Sequence, residues 1–95
     1  TRIELGRIRP VSGAFSGKYR VEGSVHGQCI QEVGYFENGR LKERIDFPLD
    51  DRFQRQEFEI RVQSGRRGEL RAYTTDGRDE SVDLDDELSQ AGQNN

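Results

Sequence analysis

The chain has no methionine and no tryptophan, and only one cysteine, one histidine and two prolines in 95 residues. Each scarcity removes a class of protein. Cys29 stands alone, so no disulfide can form within the domain, and a lone thiol is most often a small buried hydrophobe. His26 is the only histidine, which leaves a histidine-based metal site without a second imidazole. A Cys–His dyad fails on spacing, because residues three apart on one strand point to opposite faces. No stretch approaches the roughly 20 apolar residues of a membrane-spanning helix, and no signal peptide is evident. No glycine-rich phosphate loop leads into a helix, and no carboxylate pair sits beside a buried nucleophile. Catalysis is therefore the weakest class, and the chain reads as a non-enzyme without a cofactor.

Apolar residues are short as well. With glycine and without tyrosine they fill 37 of 95 positions, below the roughly 45–50 % of ordinary globular chains. One small domain with a thin core follows, in which Phe15, Phe36, Phe47, Phe53 and Phe58 are expected to supply much of the volume. Lysine is nearly absent too: Lys18 and Lys42 stand against 13 arginines, mainly a composition effect. Net charge is −3, unevenly spread. Residues 1–75 are mildly basic, whereas 76–95 hold Arg78 against Asp76, Asp79, Glu80, Asp83, Asp85, Asp86 and Glu87. A basic body with an acidic end is a poor duplex-DNA binder.

What is present is alternation. Phe58, Ile60, Val62, then Leu70, Ala72, then Val82, Leu84 occupy even positions among charged neighbours, with breaks at Gly65, Gly68 and Asp76-Gly77. Period two with glycine-rich breaks is the pattern of half-buried antiparallel strands joined by tight turns. Ile3 and Leu5 mark a first strand stopped by Pro10, and Tyr19, Val21 and Val25 a second with Arg20, Glu22 and Ser24 outward. Asn38-Gly39 predicts a two-residue hairpin pairing Glu37 with Arg40 and Phe36 with Leu41. Its core face is then Ile30, Gly34, Phe36, Leu41, Ile45 and Phe47. The opposite face, with Val33, Tyr35, Arg40, Lys42, Arg44 and Asp46, is left to solvent. At Asp76-Gly77 a two-residue loop would strand Val82 and Leu84 on the wrong face. A three-residue loop, Thr75-Asp76-Gly77, aligns them with Leu70 and Ala72 and places Gly77 where a left-handed residue is needed.

These elements predict an all-β fold: a two-sheet antiparallel sandwich of about seven strands, immunoglobulin-like in order. The alternative is a small Greek-key barrel of the oligonucleotide-binding type. The link Ser64 to Gly68 separates them, since in the sandwich it crosses between sheets and Phe58–Val62 does not pair with Leu70–Thr74. The single domain is expected over residues 1–87, with 88–95 a disordered acidic and polar tail. A short acidic helix over Asp83 to Ala91, ending at Gly92, is the other reading, because Leu84 and Leu88 are four apart.

Phe58, Ile60, Val62, Gly68, Leu70, Ala72, Asp76 and Gly77 resemble the closing strands of immunoglobulin-like and fibronectin-type modules of bacterial envelope and secreted proteins. The resemblance covers about 30 residues and lacks the Cys…Trp…Cys core of antibody domains. It implies a spacer, adhesion or ligand-presenting role with no catalytic residues to carry over, in an envelope or secreted setting. A start at Thr1 fits an excised domain or processed product.

Three residue sets merit testing as sites. Tyr35 with Arg40, Lys42 and Arg44, together with Arg71 and Tyr73, forms an aromatic and basic strip suited to an acidic peptide, a sugar or single-stranded nucleic acid. An ordinary solvated sheet face explains the same residues. Arg66-Arg67, between two glycines, is either an anion grip or a polar loop tip. Asp76, Asp79 and Glu80, with Asp83 and Asp85, suit calcium by composition, but Arg78 breaks any EF-hand spacing. The expected role is a non-catalytic protein-interaction or structural module, partnered by another protein or by neighbouring domains of the same chain. Its alternatives are a single-stranded nucleic-acid-binding domain, disfavoured by the acidic end, and a carbohydrate- or calcium-binding accessory domain.

Overall fold

The Asn38-Gly39 hairpin forms as its turn chemistry dictates. In the computed structural model, which describes residues 1–11, 17–50 and 52–93 with side chains through Ser89, Asn38 and Gly39 have φ of 52° and 81°. Two successive left-handed residues make the turn whose twist matches paired strands. Phe36 pairs with Leu41 and Glu37 with Arg40. The later loop also has the expected register: Leu70 lies opposite Val82 and Ala72 opposite Glu80, with Gly77 at φ 79°.

Seven strands and one helix result among the described residues: β1 Arg2–Pro10, β2 Lys18–Gln28, β3 Ile30–Glu37, β4 Arg40–Asp46, β5 Phe53–Gln63, β6 Glu69–Thr74, β7 Glu80–Asp83 and α1 Asp85–Gln93. They form two antiparallel sheets, β1-β2-β5 and β4-β3-β6-β7. β5 and β6 lie in different sheets, so Ser64 to Gly68 crosses between them and the barrel alternative is set aside. The order is that of an immunoglobulin-like sandwich whose fourth strand joins the third rather than the fifth.

The core between the sheets is aliphatic. Val21, Val25, Ile30, Val33, Leu70 and Leu84 are the largest fully buried side chains, with Ile3, Ile60, Val62 and Ala72 around them. The expectation of a phenylalanine-filled core is corrected here. Phe58 alone is buried, Phe36 and Phe47 are half-buried, Phe53 is 68 % exposed, and Phe15 lies outside the described residues.

The face assignment of β3 is corrected too, and the cause is one residue. Ile30 pairs with Thr74 but Glu32 pairs with Tyr73, so Gln31 is an extra residue in the ladder. A bulge shifts side-chain parity by one, turning every later residue to the other face. Val33 and Tyr35 therefore point into the core, and Tyr35 is only 3 % exposed. Gly34 and Phe36 turn outward. A second bulge, at Lys42, separates the Tyr35–Glu43 pair from the Phe36–Leu41 pair.

The inverted tyrosine ties the sheets together. Its hydroxyl donates to Glu37 Oε2 at 2.8 Å and accepts the backbone N–H of Gln63, on β5 of the other sheet, at 3.2 Å. Burial, followed by the Glu37 carboxylate, raises its ionisation well above the ordinary tyrosine value.

The disordered tail from residue 88 is likewise revised. Leu84 N–H donates to the Gly68 carbonyl at 2.8 Å and ends β7, and Leu88 N–H donates to the Leu84 carbonyl at 2.8 Å as α1 begins. Both leucines are buried, Leu88 to 2 % exposure. Asp85, Asp86 and Glu87 occupy the first helical turn, where negative charge favours the helix dipole. The helix runs through Gln93, past Gly92; residues 94 and 95 lie outside the described residues. No helix among the described residues is long and apolar enough to cross a membrane.

Candidate functional site: the outer face of the four-stranded sheet

The bulge at Gln31 builds an outer face of three cross-strand rows. One row runs Asp46–Glu32–Tyr73, the next Arg44–Gly34–Arg71–Ser81, and the third Leu41–Phe36–Glu69–Asp83. Gly34 is the floor. A Cβ there would lie 3.0 Å from Phe36 Cε1 and 3.2 Å from Leu41 Cδ1, so its absence lets both apolar side chains close over the strand. Phe36 is half-buried and Leu41 is 51 % exposed.

Arg71 lies over the Phe36 ring, its Cζ 4.9 Å from the centroid, within the roughly 6 Å reach of a cation–π contact. Glu69 bonds its guanidinium and, with Tyr73, raises its already high pKa. Arg44 is similarly flanked, 3.3 Å from Asp46 and 3.7 Å from Glu32. The face thus carries four carboxylates, Glu32, Asp46, Glu69 and Asp83, against two guanidinium groups. It is an apolar centre ringed by paired charges, not a cationic strip.

Of the six residues expected to form a strip, the structure gathers Arg44, Arg71 and Tyr73. Tyr35 is corrected from exposed ligand contact to buried pin. Arg40, opposite Glu37, belongs to the other face, and Lys42 occupies the bulge. Arg66 and Arg67 are exposed on the crossing between sheets. The Arg66 carbonyl accepts the Asn38 N–H at 2.8 Å, and Arg67 holds a left-handed φ of 51°. They serve as a brace for the hairpin tip.

Asp76 and Asp79 are turned onto their own turn. Asp79 Oδ1 accepts the Thr74 N–H at 3.0 Å. The Asp76 carboxyl is held below the usual range by the Thr74 hydroxyl and by the Arg78 backbone and guanidinium. Glu80 is exposed at the start of β7, and no three His, Cys, Asp or Glu side chains converge on a metal-sized site among the described residues. Asp50, in the β4–β5 link, accepts the Arg52 N–H at 2.9 Å and pairs with its guanidinium, a turn feature.

Phe36 and Leu41 were missed as surface residues because they alternate correctly with the hairpin and only the bulge exports them. A polar set on the other sheet was missed as well. Ser24 Oγ lies 3.0 Å and Glu4 Oε2 3.3 Å from His26 Nε2, with Arg2 2.6 Å from Glu4. The residue types are those of a hydrolytic triad, but the geometry is not. A triad places serine and acid on different ring nitrogens. Here both compete for Nε2: taking a proton from Ser24 needs it bare, and pairing with Glu4 needs it protonated.

Comparison with family models, curated proteins and solved structures gives no match to this chain.

Proposed function

We propose that this domain is a non-catalytic protein-interaction module of a larger, multi-component assembly. It takes its partner on the outer face of the four-stranded sheet. The observation that carries this reading is the Arg71–Phe36 contact beside the exposed Leu41, bordered by Tyr73 and by acid–arginine pairs. Protein interfaces combine an apolar, aromatic and arginine-rich centre with a charged rim, and their strongest contacts come from such centres. The excess of carboxylates opposes a phosphate backbone, which favours a protein over single-stranded nucleic acid. The open sandwich also removes the barrel on which the nucleic-acid reading leaned. The resemblance of the closing strands to bacterial envelope and secreted modules supports an accessory role in such a setting.

The test is a paired variant, Leu41→Asp with Arg71→Glu, compared with the wild-type domain as bait in an extract of its own cells. Both side chains are about half exposed, and the thermal melt of the variant is recorded first, so that only loss of capture by a folded domain counts. A species retained by the wild type and lost by the variant supports the reading. An identical retained set, or binding of short oligonucleotides that weakens steeply with salt, counts against it.

A further inference from the structure

The two sheets are unequal, and the mismatch leaves one strand position empty. Across the sandwich β7 approaches β1 and β3 approaches β5. β4 therefore extends one strand beyond β5, with nothing of the three-stranded sheet beneath it. Its side chains are exposed on both faces except Ile45, which is half-buried against the core.

The edge of β5 that borders this gap differs from every other sheet edge among the described residues. Native edges are blunted by bulges, prolines, shortness or charged side chains, because unpaired N–H and C=O groups recruit strands. β1 has a bulge between Leu5 and Ile8 and ends at Pro10, β4 has its bulge at Lys42, and β7 spans four residues. β5 has no bulge, no proline and is not short: it runs eleven residues in unbroken register with β2. The charges at alternate positions, Arg55, Glu57, Glu59 and Arg61, are its one defence, and a segment of complementary charge removes it.

The open groups can be assigned. Ser64 N–H points toward β2 and bonds the Gly17 carbonyl at 2.8 Å, whereas Gln63 N–H points away and is taken by the Tyr35 hydroxyl. Backbone directions alternate along a strand. Arg61, Glu59, Glu57 and Arg55 thus present their N–H and C=O to the gap. The end of the edge is already satisfied by a group from the opposite sheet; the four rungs behind it are not.

We propose that β5 is a strand-addition site that takes one extended segment of a partner protein, completing the three-stranded sheet beneath β4. Its chemistry follows from the row it would lie against. Arg55, Glu57, Glu59 and Arg61 share the solvent face, and opposite charges directly across a ladder stabilise it. The segment carries acidic, basic, basic and acidic residues at alternate positions. The residues between them are apolar and face Ile45 and the core beside Phe58 and Ile60. A second copy of this chain is a poorer occupant. Joined β5 to β5, the overhanging β4 of each copy would meet the β3 and β4 of the other. This site is independent of the Phe36–Arg71 face and stands or falls separately from it.

The probe is a synthetic peptide containing Glu-Val-Arg-Val-Arg-Val-Glu, with Arg-Val-Glu-Val-Glu-Val-Arg as the charge-reversed control. Amide hydrogen exchange read by NMR is expected to slow by about tenfold or more at Arg55, Glu57, Glu59 and Arg61 with the first peptide and not with the second. Glu59→Pro removes an edge N–H without touching the β2 ladder, a position where proline is tolerated, and is expected to abolish the protection. If that variant fails to fold, the pair Glu57→Lys and Glu59→Lys, which makes the row uniformly positive and gives each peptide two attractive and two repulsive pairs, is expected to erase the preference between the two peptides. No protection with either peptide, protection confined to β1 or β4, or peptide-induced shifts only around Phe36 and Arg71 would overturn the proposal. So would protection of the same four amides by concentration-dependent dimerisation without peptide.

Discussion

Replacing Tyr35 by phenylalanine removes one oxygen atom and separates the buried-pin reading from a surface role. The ring keeps its place in the core cluster, beside Gly68, so no cavity opens. The hydroxyl's two partners are lost: Gln63 N–H across the sandwich at 3.2 Å, and Glu37 Oε2 at 2.8 Å. Glu37 is half-buried and can turn to water, whereas the Gln63 amide, half-buried at the edge of β5, loses the one group of the facing sheet that takes it. One net hydrogen bond contributes about 1 kcal/mol, and a buried donor left without a partner costs about 1–3 kcal/mol. The expected loss is therefore about 1–3 kcal/mol, a fall in Tm of several degrees at about 4–8 °C per kcal/mol for a domain of this size. Urea unfolding should show a lower midpoint with an unchanged slope, because the surface exposed on unfolding is the same. The phenol offers a second readout. Its raised ionisation means that the folded state holds the proton more tightly than the unfolded chain. The resulting stability is complete below the ordinary tyrosine value near 10 and is lost as pH rises above it toward the folded value. In an alkaline absorbance titration one tyrosine should ionise late, and Tyr35→Phe should remove that component. A stability change under about 0.5 kcal/mol, the usual result for a surface position, together with ordinary titration of all three tyrosines, would refute the placement of this side chain.

Leu88→Ala truncates a side chain only 2 % exposed and should cost about 2–4 kcal/mol by denaturant unfolding; an unchanged midpoint would return α1 to solvent. Gly23→Ala should be among the costliest single-methyl additions, at about 1–3 kcal/mol. The new Cβ would lie 2.7 Å from the Glu4 carbonyl oxygen and 2.8 Å from Phe58 Cζ, and retained Tm would show that β1 can move away. Gly77→Ala meets no atom within 4 Å but keeps a φ of 79°, so its loss should be about 1 kcal/mol, from conformation alone.

The elements that were legible in the sequence are those specified locally. Asn38-Gly39 and Thr75-Asp76-Gly77 encode their turns in adjacent residues; the whole β6–β7 register follows from the second, and from the first the Glu37–Arg40 and Phe36–Leu41 pairs, up to the bulge at Lys42. The alternation of β5 and β6 was readable because neither strand carries a bulge in its ladder with β2 or β7. β3 was not readable, because the extra residue at Gln31 exists only relative to Thr74 and Tyr73 on β6, far along the chain. That single offset exchanged Tyr35 for Phe36 and moved the candidate site from a cationic strip to an apolar centre. Arg44, Arg71 and Tyr73 survived because they lie outward under either reading. Phe53 was expected inside by residue type, yet its parity puts it on the solvent face of β5 with Arg55 and Glu57. Leu88 was expected outside because weak surface ion pairs cannot order a tail; the apolar pair Leu84 and Leu88 supplies what charge does not.

Site-specific photo-crosslinking in the cells that produce this protein tests the central claim most directly. A photoreactive residue at Leu41, 51 % exposed beside Phe36, is compared with one at Arg9, exposed on β1 of the other sheet. The interaction-module reading predicts a discrete protein adduct from Leu41 that disappears with Arg71→Glu, and none from Arg9. No adduct from Leu41, or the same adducts from both positions, would contradict it.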